Sequence, residues 1–177
     1  MNKILLKFES IQQVVGAEDM AVIIMTDPNR QKALSVVCDV DMMRQLQMRL
    51  KGPRDLKRTL LPEVLSRMLD STYELLVLSI YNGQYQVLLM DMNSGHTERV
   101  RMSDAVLLSI ISKIPLYIEE SLMKQQCFTF DESSEGVSIP INVMDVPKLK
   151  LALDHAVEVE DYELASQIRD EIKRRKQ

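Results

Sequence analysis

The sequence predicts an α+β protein, with mixed or antiparallel sheets and packed helices, followed by a C-terminal α-helical hairpin. Three observations support this fold class. Strand-like apolar runs precede the first helix pattern, and Asn82-Gly83 between two such runs is a strong β-hairpin signal, because both residues accept positive φ. The stretch Val100–Ile118 contains a strand end, a buried helix and a helix stop. After Pro147, apolar residues recur at helical spacing in two short segments.

Composition limits the class of protein. The 177 residues are enough to bury a core, and 46% apolar with 27% charged residues is typical of a globular chain. The net charge of -4 argues against general, charge-driven binding of nucleic acid. Cys38 and Cys127 are too few for a disulfide framework or a zinc cluster, so we expect buried thiols. Since neither a signal peptide nor a membrane helix is recognisable, we expect a cytoplasmic protein without a membrane segment.

The first domain is expected to span residues 1–136 and to open with three strands. The first strand alternates apolar and polar residues, whereas the second is continuously apolar. A turn at Asp27-Pro28-Asn29 joins the second strand to the third. The three predicted strands are Lys3–Glu9, Met20–Met25 and Ala33–Val37.

Two helices follow these strands. The first can be capped by Asp39 or Asp41 and should run to about Leu50. The second, Leu61–Leu69, comes after a basic segment and has Pro62 in its first turn. Its apolar residues recur at the spacing of an amphipathic helix: Leu61, Val64, Leu65 and Met68.

A three-stranded meander built round Asn82-Gly83 is expected next: Tyr73–Ile80, Gln84–Met90 and Thr97–Met102. Ser103 is a good N-cap for the following helix, and Pro115 should stop that helix near Lys113 or Ile114. Because most of its circumference is apolar, we expect this helix to organise the core. The domain then ends with a short strand, a short helix and a short strand: Leu116–Ile118, Glu119–Gln125 and Cys127–Phe130.

Residues 137–146 are expected to form a linker, and residues 147–177 a helical hairpin. Two apolar faces at helical spacing define its helices: Leu149, Ala152, Leu153 and Ala156 in the first, and Tyr162, Ala165, Ile168 and Ile172 in the second. The small side chains of Ala156 and Ala165, near the bend, would let the two helices approach closely.

Two constellations could carry chemistry, although no Gly-rich phosphate loop, nucleophile elbow or paired-Cys motif occurs. The segment Arg49–Arg58 holds five cations against Asp55: Arg49, Lys51, Arg54, Lys57 and Arg58. It could hold nucleic-acid phosphates, although a solvated surface between helices is the commoner interpretation. Arg101, Ser103 and Asp104 could accommodate a phosphate, a metal ion or a mutual salt bridge, and an N-cap with an Arg–Asp pair is the simpler interpretation.

The stretch VRMSDAVLLSIISKIPLYIEESL, residues 100–122, resembles the signature of the bifunctional nuclease domain, a bacterial and plant family. The matching residues are Arg101, Ser103, Asp104, Ala105, Pro115 and Tyr117. The turn 82–85 and the Pro53-Arg54 segment resemble further motifs of the family, and the likeness spans about Met20–Gln125. Where the family has Thr-His-Asp, this chain has Lys57-Arg58-Thr59. The resemblance implies an α+β domain, commonly dimeric, that acts on DNA and RNA.

The C-terminal residues resemble the UVR motif, a helical hairpin shared by the UvrB and UvrC excision-repair proteins and some protease adaptors. The matching residues are Leu153, Ala156, Asp161, Tyr162, Glu163, Ala165, Ile168, Arg169, Asp170 and Ile172. The resemblance implies a protein-contact module. Its expected partner-binding residues are Tyr162, Ala165, Arg169 and Asp170.

These resemblances give two hypotheses. In the first, the protein is a nuclease that hydrolyses DNA and RNA with a divalent metal ion of unknown ligands, and Arg101, Ser103 and Asp104 are the catalytic candidates. The five cations of the basic segment would bind the nucleic acid. In the second, it is a non-catalytic, homodimeric adaptor, in which a degenerate nuclease domain dimerises and the hairpin docks a partner protein. The altered Lys57-Arg58-Thr59 segment and the acidic net charge favour the second.

Overall fold

The computed structural model describes residues 2–14, 19–51, 60–130, 144, 146–158 and 160–174. These residues form strands and helices in the α+β arrangement that the sequence predicts, followed by the C-terminal helices. The strands are β1 (Lys3–Gln13), β2 (Met20–Thr26), β3 (Lys32–Asp39), β4 (Tyr73–Tyr81), β5 (Gln84–Asp91), β6 (Thr97–Val100), β7 (Leu116–Glu119) and β8 (Phe128–Thr129). The helices are α1 (Val40–Lys51), α2 (Leu61–Met68), α3 (Met102–Ser112), α4 (Glu120–Gln126), α5 (Val146–Glu158) and α6 (Tyr162–Arg174).

The strands lie in one mixed sheet, in the order β6-β5-β4-β7-β1-β2-β3-β8. All neighbours are antiparallel except β4 and β7, which are parallel because α3 carries the chain across the sheet from β6 to β7. β1 joins the two halves, since its first residues pair with β7 and its later residues with β2. The sheet curls on itself: the Tyr85 hydroxyl of β5 donates to the Ser35 carbonyl of β3 at 3.5 Å, although four strands separate β5 from β3.

Helix α3 lies at the centre of the core that this curled sheet encloses. It packs against β3, β4, β5 and β7 and against α1 and α2. Its buried residues are Met102, Ala105, Val106, Leu107 and Leu108. The expectation of a buried helix that organises the core is confirmed.

The junction between β6 and α3 differs from the prediction. Ser103 is not the N-cap: α3 begins at Met102, and Arg101, whose backbone is extended, holds the N-cap position without a side-chain capping bond. β6 therefore ends at Val100, two residues earlier than expected. The physical reason is that Met102 buries its side chain in the core, which draws it into the first helical turn.

Other local predictions are confirmed. Asp39 caps α1, since its Oδ1 accepts a hydrogen bond from the Met42 N–H at 2.7 Å. Asn82 and Gly83 form the β4–β5 turn with φ of 49° and 76°. Helix α3 ends at a left-handed Lys113, just before Pro115, as the proline predicts.

Helix α2 has the predicted position but not the orientation that its pattern suggests. Its four apolar side chains face outward: Leu61 and Met68 are each 71% exposed, Val64 42% and Leu65 39%. The polar side faces the body instead, where Glu63 Oε1 accepts a hydrogen bond from Arg49 Nε at 2.7 Å. This ion pair, with side chains 19% and 6% exposed, fixes the helix with its polar side inward.

Helices α5 and α6 form a hairpin with an apolar core of its own: Leu149, Ala156, Ala165, Ile168 and Ile172. The bend is held by the Asp161 N–H, which donates to the Ala156 carbonyl at 2.8 Å, and by Glu160 with positive φ. Tyr162, which the helical spacing places on the apolar face of α6, is not part of this core, because its side chain is 67% exposed.

The end of the first domain, residues 131–136, and most of the predicted linker 137–146 lie outside the described residues, and the predicted domain boundaries stay a prediction. Within the described ranges, every helix is too short or too polar to cross a bilayer.

Candidate functional site

A cleft of about 600 Å³ opens where the curled sheet brings three chain turns together. These are the end of β3, the β4–β5 turn and the junction between β6 and α3. Two of the predicted site residues, Arg101 and Ser103, line this cleft. A volume of this size is in the range of small-ligand sites.

Arg101 and Asp104 make a two-pronged ion pair at the mouth of the cleft. Arg101 Nε lies 2.8 Å from Asp104 Oδ2, and its second nitrogen lies 3.2 Å from Oδ1. The hydrogen bonds and charge of Asp104 raise the pKa of Arg101 above its usual value. The side chains are 70% and 38% exposed, so the pair is a surface contact that holds the strand end to the helix start. The Arg–Asp pair of the simpler interpretation is therefore present, whereas its Ser103 N-cap is not.

The cleft carries charges of both signs. Arg99 and Arg101 line it together with Asp19 and Asp39. Asp39 is also occupied as the cap of α1. The cleft is therefore not a uniformly basic groove of the kind that follows a nucleic-acid backbone. Ser103 lies in the first turn of α3, where free backbone N–H groups face the start of the helix.

The described residues of the cleft do not offer a set of ligands for a metal ion. Among the described residues, no three His, Cys, Asp or Glu side chains lie close enough together to hold one. Asp104, the acidic residue among the catalytic candidates, is bonded through both of its oxygens to Arg101. The described residues therefore do not fit the divalent metal that the nuclease hypothesis implies.

Of the five basic residues predicted to bind nucleic acid, the structure describes the side chain of Arg49. It is 6% exposed and bonds Glu63 and Gln45, so it points into the protein rather than towards solvent. Lys51 ends α1, and its side chain is not described. Arg54, Lys57 and Arg58 lie outside the described residues.

The predicted partner-binding residues divide between surface and core. Tyr162, Arg169 and Asp170 are exposed, and Arg169 Nε lies 3.6 Å from Asp170 Oδ1. Ala165 is buried in the hairpin core, where its small side chain lets α5 and α6 pack. Three of these four residues are thus available to a partner.

Sequence reasoning missed several residues of the cleft, among them Asp39, Tyr85 and Arg99. Arg99 lies on β6, two residues before Arg101, whereas Tyr85 and Asp39 come from β5 and from the end of β3. The curl of the sheet brings Asp39 to the other residues. Asp39 and the turn at Asn82-Gly83 were recognised for local structure alone. Turn and cap residues lie at strand ends, and strand ends can meet at one edge of a sheet; this pattern in the sequence could have indicated them.

Cys38 lines the same cleft and is buried, as expected of a structural thiol. Burial raises its pKa to about 12, and the charge of Asp39 contributes in the same direction. A thiol in this state is a poor nucleophile at neutral pH. Cys127 is half-buried rather than buried.

Comparison with known proteins bears on the hairpin. A family model, UVR: UvrB/uvrC motif, matches residues 146–177, which contain α5 and α6. No curated protein matches the chain. Neither comparison supports the resemblance of the first domain to the bifunctional nuclease family, which stays a prediction. The C-terminal residues of this chain thus carry a UVR motif.

Proposed function

We propose that this protein is a non-catalytic adaptor that docks a partner protein through its UVR hairpin. The observation that carries the proposal is the match of residues 146–177 to the UVR motif, on a hairpin that closes its own apolar core. The apolar side chains of α5 and α6 pack against one another in that core. The exposed side chains of the hairpin are therefore available for contacts with another protein. We place the adaptor in the cytoplasm, and we expect it to be a homodimer.

The exposed residues suit a protein interface. Tyr162 presents a large, rigid ring at the start of α6, and tyrosine and arginine are enriched among residues that dominate binding energy. Arg169 and Asp170 supply charges of both signs about two turns further along the same helix. An aromatic anchor with charged neighbours gives both affinity and orientation.

A capture experiment with the tagged full-length chain tests this function. Proteins retained from a lysate of the source cells are compared with those retained by Tyr162→Ala, by Arg169→Ala and by a form that ends at Asp145. We expect the hairpin variants and the truncated form to lose the same proteins. Met92→Ala is the control, since Met92 is 55% exposed and lies far along the chain from the hairpin. Retention of every partner by the truncated form would refute the proposal.

A nuclease is the second candidate, and the cleft is the observation that favours it. Arg99 and Arg101 line a cavity at the first turn of α3, where guanidinium and backbone N–H groups can bind phosphate oxygens. In this function Arg101 and Ser103 orient the phosphate, and Asp104 positions Arg101. The mixed charge of the cleft and the missing ligand set place this candidate second.

Cleavage of single-stranded DNA and of RNA by purified protein, with and without a chelator, tests the second candidate. A nuclease that uses this cleft should lose at least about 100-fold in rate in Arg101→Ala, since removal of a group that stabilises developing charge has that effect. Unchanged cleavage in Arg101→Ala and Asp104→Asn would assign any activity to another site or to a contaminant.

A further inference from the structure

The outward side of α2 is an apolar surface that the described part of the chain leaves exposed. Its four apolar residues, which we call the α2 stripe, are 71%, 42%, 39% and 71% exposed: Leu61, Val64, Leu65 and Met68. The Arg49–Glu63 pair holds the polar side of the helix against the protein body, so the stripe stays outward. An amphipathic helix normally turns its apolar side towards other protein. We therefore expect a further protein surface over the stripe.

The size of the exposed apolar surface agrees with a binding surface. The four side chains together expose on the order of 400 Å², the size of the largest apolar patches on single proteins, which are often functional. Met48 and Leu50, on either side of Arg49 in α1, are each 46% exposed and can enlarge this surface. Two such surfaces in contact would bury about 800–1,200 Å² in all, which is the lower end for specific interfaces. The area thus predicts a weak, reversible complex.

The spacing of the α2 stripe is symmetric. Its residues lie three, one and three positions apart, so the pattern is the same from either end, and its two end residues are equally exposed. A second α2, turned about a two-fold axis through the middle of the stripe, therefore places Leu61 opposite Met68 of the other copy. Val64 then lies opposite Leu65 of the other copy. Such self-complementary contacts define the two-fold interfaces of homodimers.

The described charges beside the α2 stripe allow a second copy to approach. Arg67, on α2, and Asp70, just after its end, are exposed and have opposite charges. Because a second copy brings the same two charges, these residues add no net repulsion. A nucleic acid is not favoured, since its phosphates gain nothing from apolar side chains.

We propose that this protein forms a two-fold homodimer in which the α2 helices of two copies pack antiparallel through their stripes. The inference rests on the proposed function, because it supplies an interface for the homodimer expected there. The contact uses no residue of the UVR hairpin, so the dimer can offer both of its hairpins to partner proteins.

Sedimentation of the full-length chain over a range of concentrations tests the surface. We expect a reversible dimer, and at least about a ten-fold rise of its dissociation constant in Leu61→Lys and in Met68→Glu, because each substitution puts a charge into an apolar contact twice. The control is Met92→Lys, at a position that is 55% exposed and outside the stripe, and its dimer should match wild type.

Mixed variants test the antiparallel arrangement. In a mixture of Leu61→Lys and Met68→Glu, a dimer of one copy of each has one lysine–glutamate pair and one unchanged contact between Leu61 and Met68. We expect this mixture to associate at least about five-fold more tightly than either variant alone.

A mixture of Leu61→Lys with Leu61→Glu is the matched control. In the antiparallel dimer these two positions lie at opposite ends of the contact, so the mixture should associate no better than its components. If the helices packed in parallel instead, the control mixture would recover and the first mixture would recover less. That result would refute the proposed arrangement.

The outcomes separate this inference from the proposed function. We expect Leu61→Lys to lose the dimer while it keeps the captured proteins, and Tyr162→Ala to keep the dimer while it loses them. If the chain is monomeric at all concentrations, or if the α2 variants dimerise as wild type does, the inference is wrong. The capture experiment then decides by itself whether the hairpin docks a partner.

Discussion

At the scale of single residues, exposure decides which ion pairs matter. Arg101–Asp104 has ideal two-pronged geometry but lies at the surface, where water screens the charges. Arg49–Glu63 is much less exposed, at 6% and 19%, and therefore depends on each partner to neutralise the other. Arg101–Asp104, which belongs to a recognised sequence motif, should therefore contribute little to stability. Arg49–Glu63, which orients α2, belongs to no recognised motif.

Removal of one partner from the buried pair tests this difference. We expect Glu63→Ala to lower the free energy of unfolding by about 3 kcal/mol, because Arg49 would keep a buried charge without a counter-ion. The measurement is the midpoint of urea unfolding. The control is Asp41→Ala, which breaks the Arg44–Asp41 pair of the same region, with side chains 68% and 87% exposed. Equal effects of the two substitutions would contradict the role of burial.

Because the thiol of Cys38 is buried, we expect the stability of the folded protein to fall at alkaline pH. In the unfolded chain the thiol has a pKa near 9.0, and in the folded protein burial raises its pKa to about 12. Above pH 9 the unfolded state therefore loses a proton that the folded state keeps, so stability falls as pH rises through this window. Between pH 8 and pH 10, wild type should lose about 1 kcal/mol more than Cys38→Ala. Parallel pH profiles of the two proteins would contradict this.

At the scale of elements, side-chain caps set the starts of some helices, whereas the start of α3 has none. Asp39 caps α1 as expected. Glu119 caps α4 through a bond from the Leu122 N–H, although the sequence suggested that Glu119 belongs to the helix. Helix α3 has no side-chain cap at its start and ends in a left-handed lysine. Its position is therefore fixed by burial more than by capping.

The left-handed Lys113 offers a stabilising substitution. Its φ of 64° places the Cβ close to the following carbonyl, a cost that glycine does not have. Lys113→Gly should raise the free energy of unfolding by about 0.5–1 kcal/mol, even after the greater freedom of glycine in the unfolded chain. Thermal unfolding measures this. Lys113→Ala, which keeps the Cβ, is the control and should show little gain.

At the scale of the whole molecule, the described residues form two main apolar cores and one smaller cluster. One main core lies inside the curled sheet around α3, and the other lies between α5 and α6. The smaller cluster lies on the other face of β2 and β3 and contains Val22, Ile24 and Ala33. Because none of the strongly packed element pairs joins the hairpin to the sheet in the described residues, the two cores should respond separately to damage.

Hydrogen exchange can separate the two cores. Ile168→Ala removes most of a side chain that is 2% exposed in the hairpin core, and it should lower amide protection in α5 and α6 while β2 keeps its protection. Leu75→Ala, at a fully buried position of β4, should act in the opposite way. Loss of protection throughout the molecule in Ile168→Ala would show that the cores unfold together.

Local signals were enough for most elements of this fold. The strands, the Asn82-Gly83 turn and the buried helix before Pro115 follow from period, turn chemistry and the missing N–H of proline, which act within a few residues. The candidate site was found only in part: Arg101 and Ser103 line the cleft, whereas Arg99 and Asp39 were not recognised as part of it. The proximity of Asp39 depends on pairing between distant strands, which no local pattern contains. Arg99 lies two residues before Arg101, so its place in the cleft could have been recognised from the sequence.

Backbone preferences and apolar periodicity act within a few residues, so the elements, their order and the UVR hairpin could be predicted from local patterns. Which side of an element is buried depends on the folded chain wherever a long-range contact competes with that periodicity. The hydrogen bond from Arg49 of α1 to Glu63 of α2 holds the polar side of α2 inward, so the apolar side of α2 faces outward. The curl that carries β5 to β3 likewise makes a cleft from residues far apart in the chain.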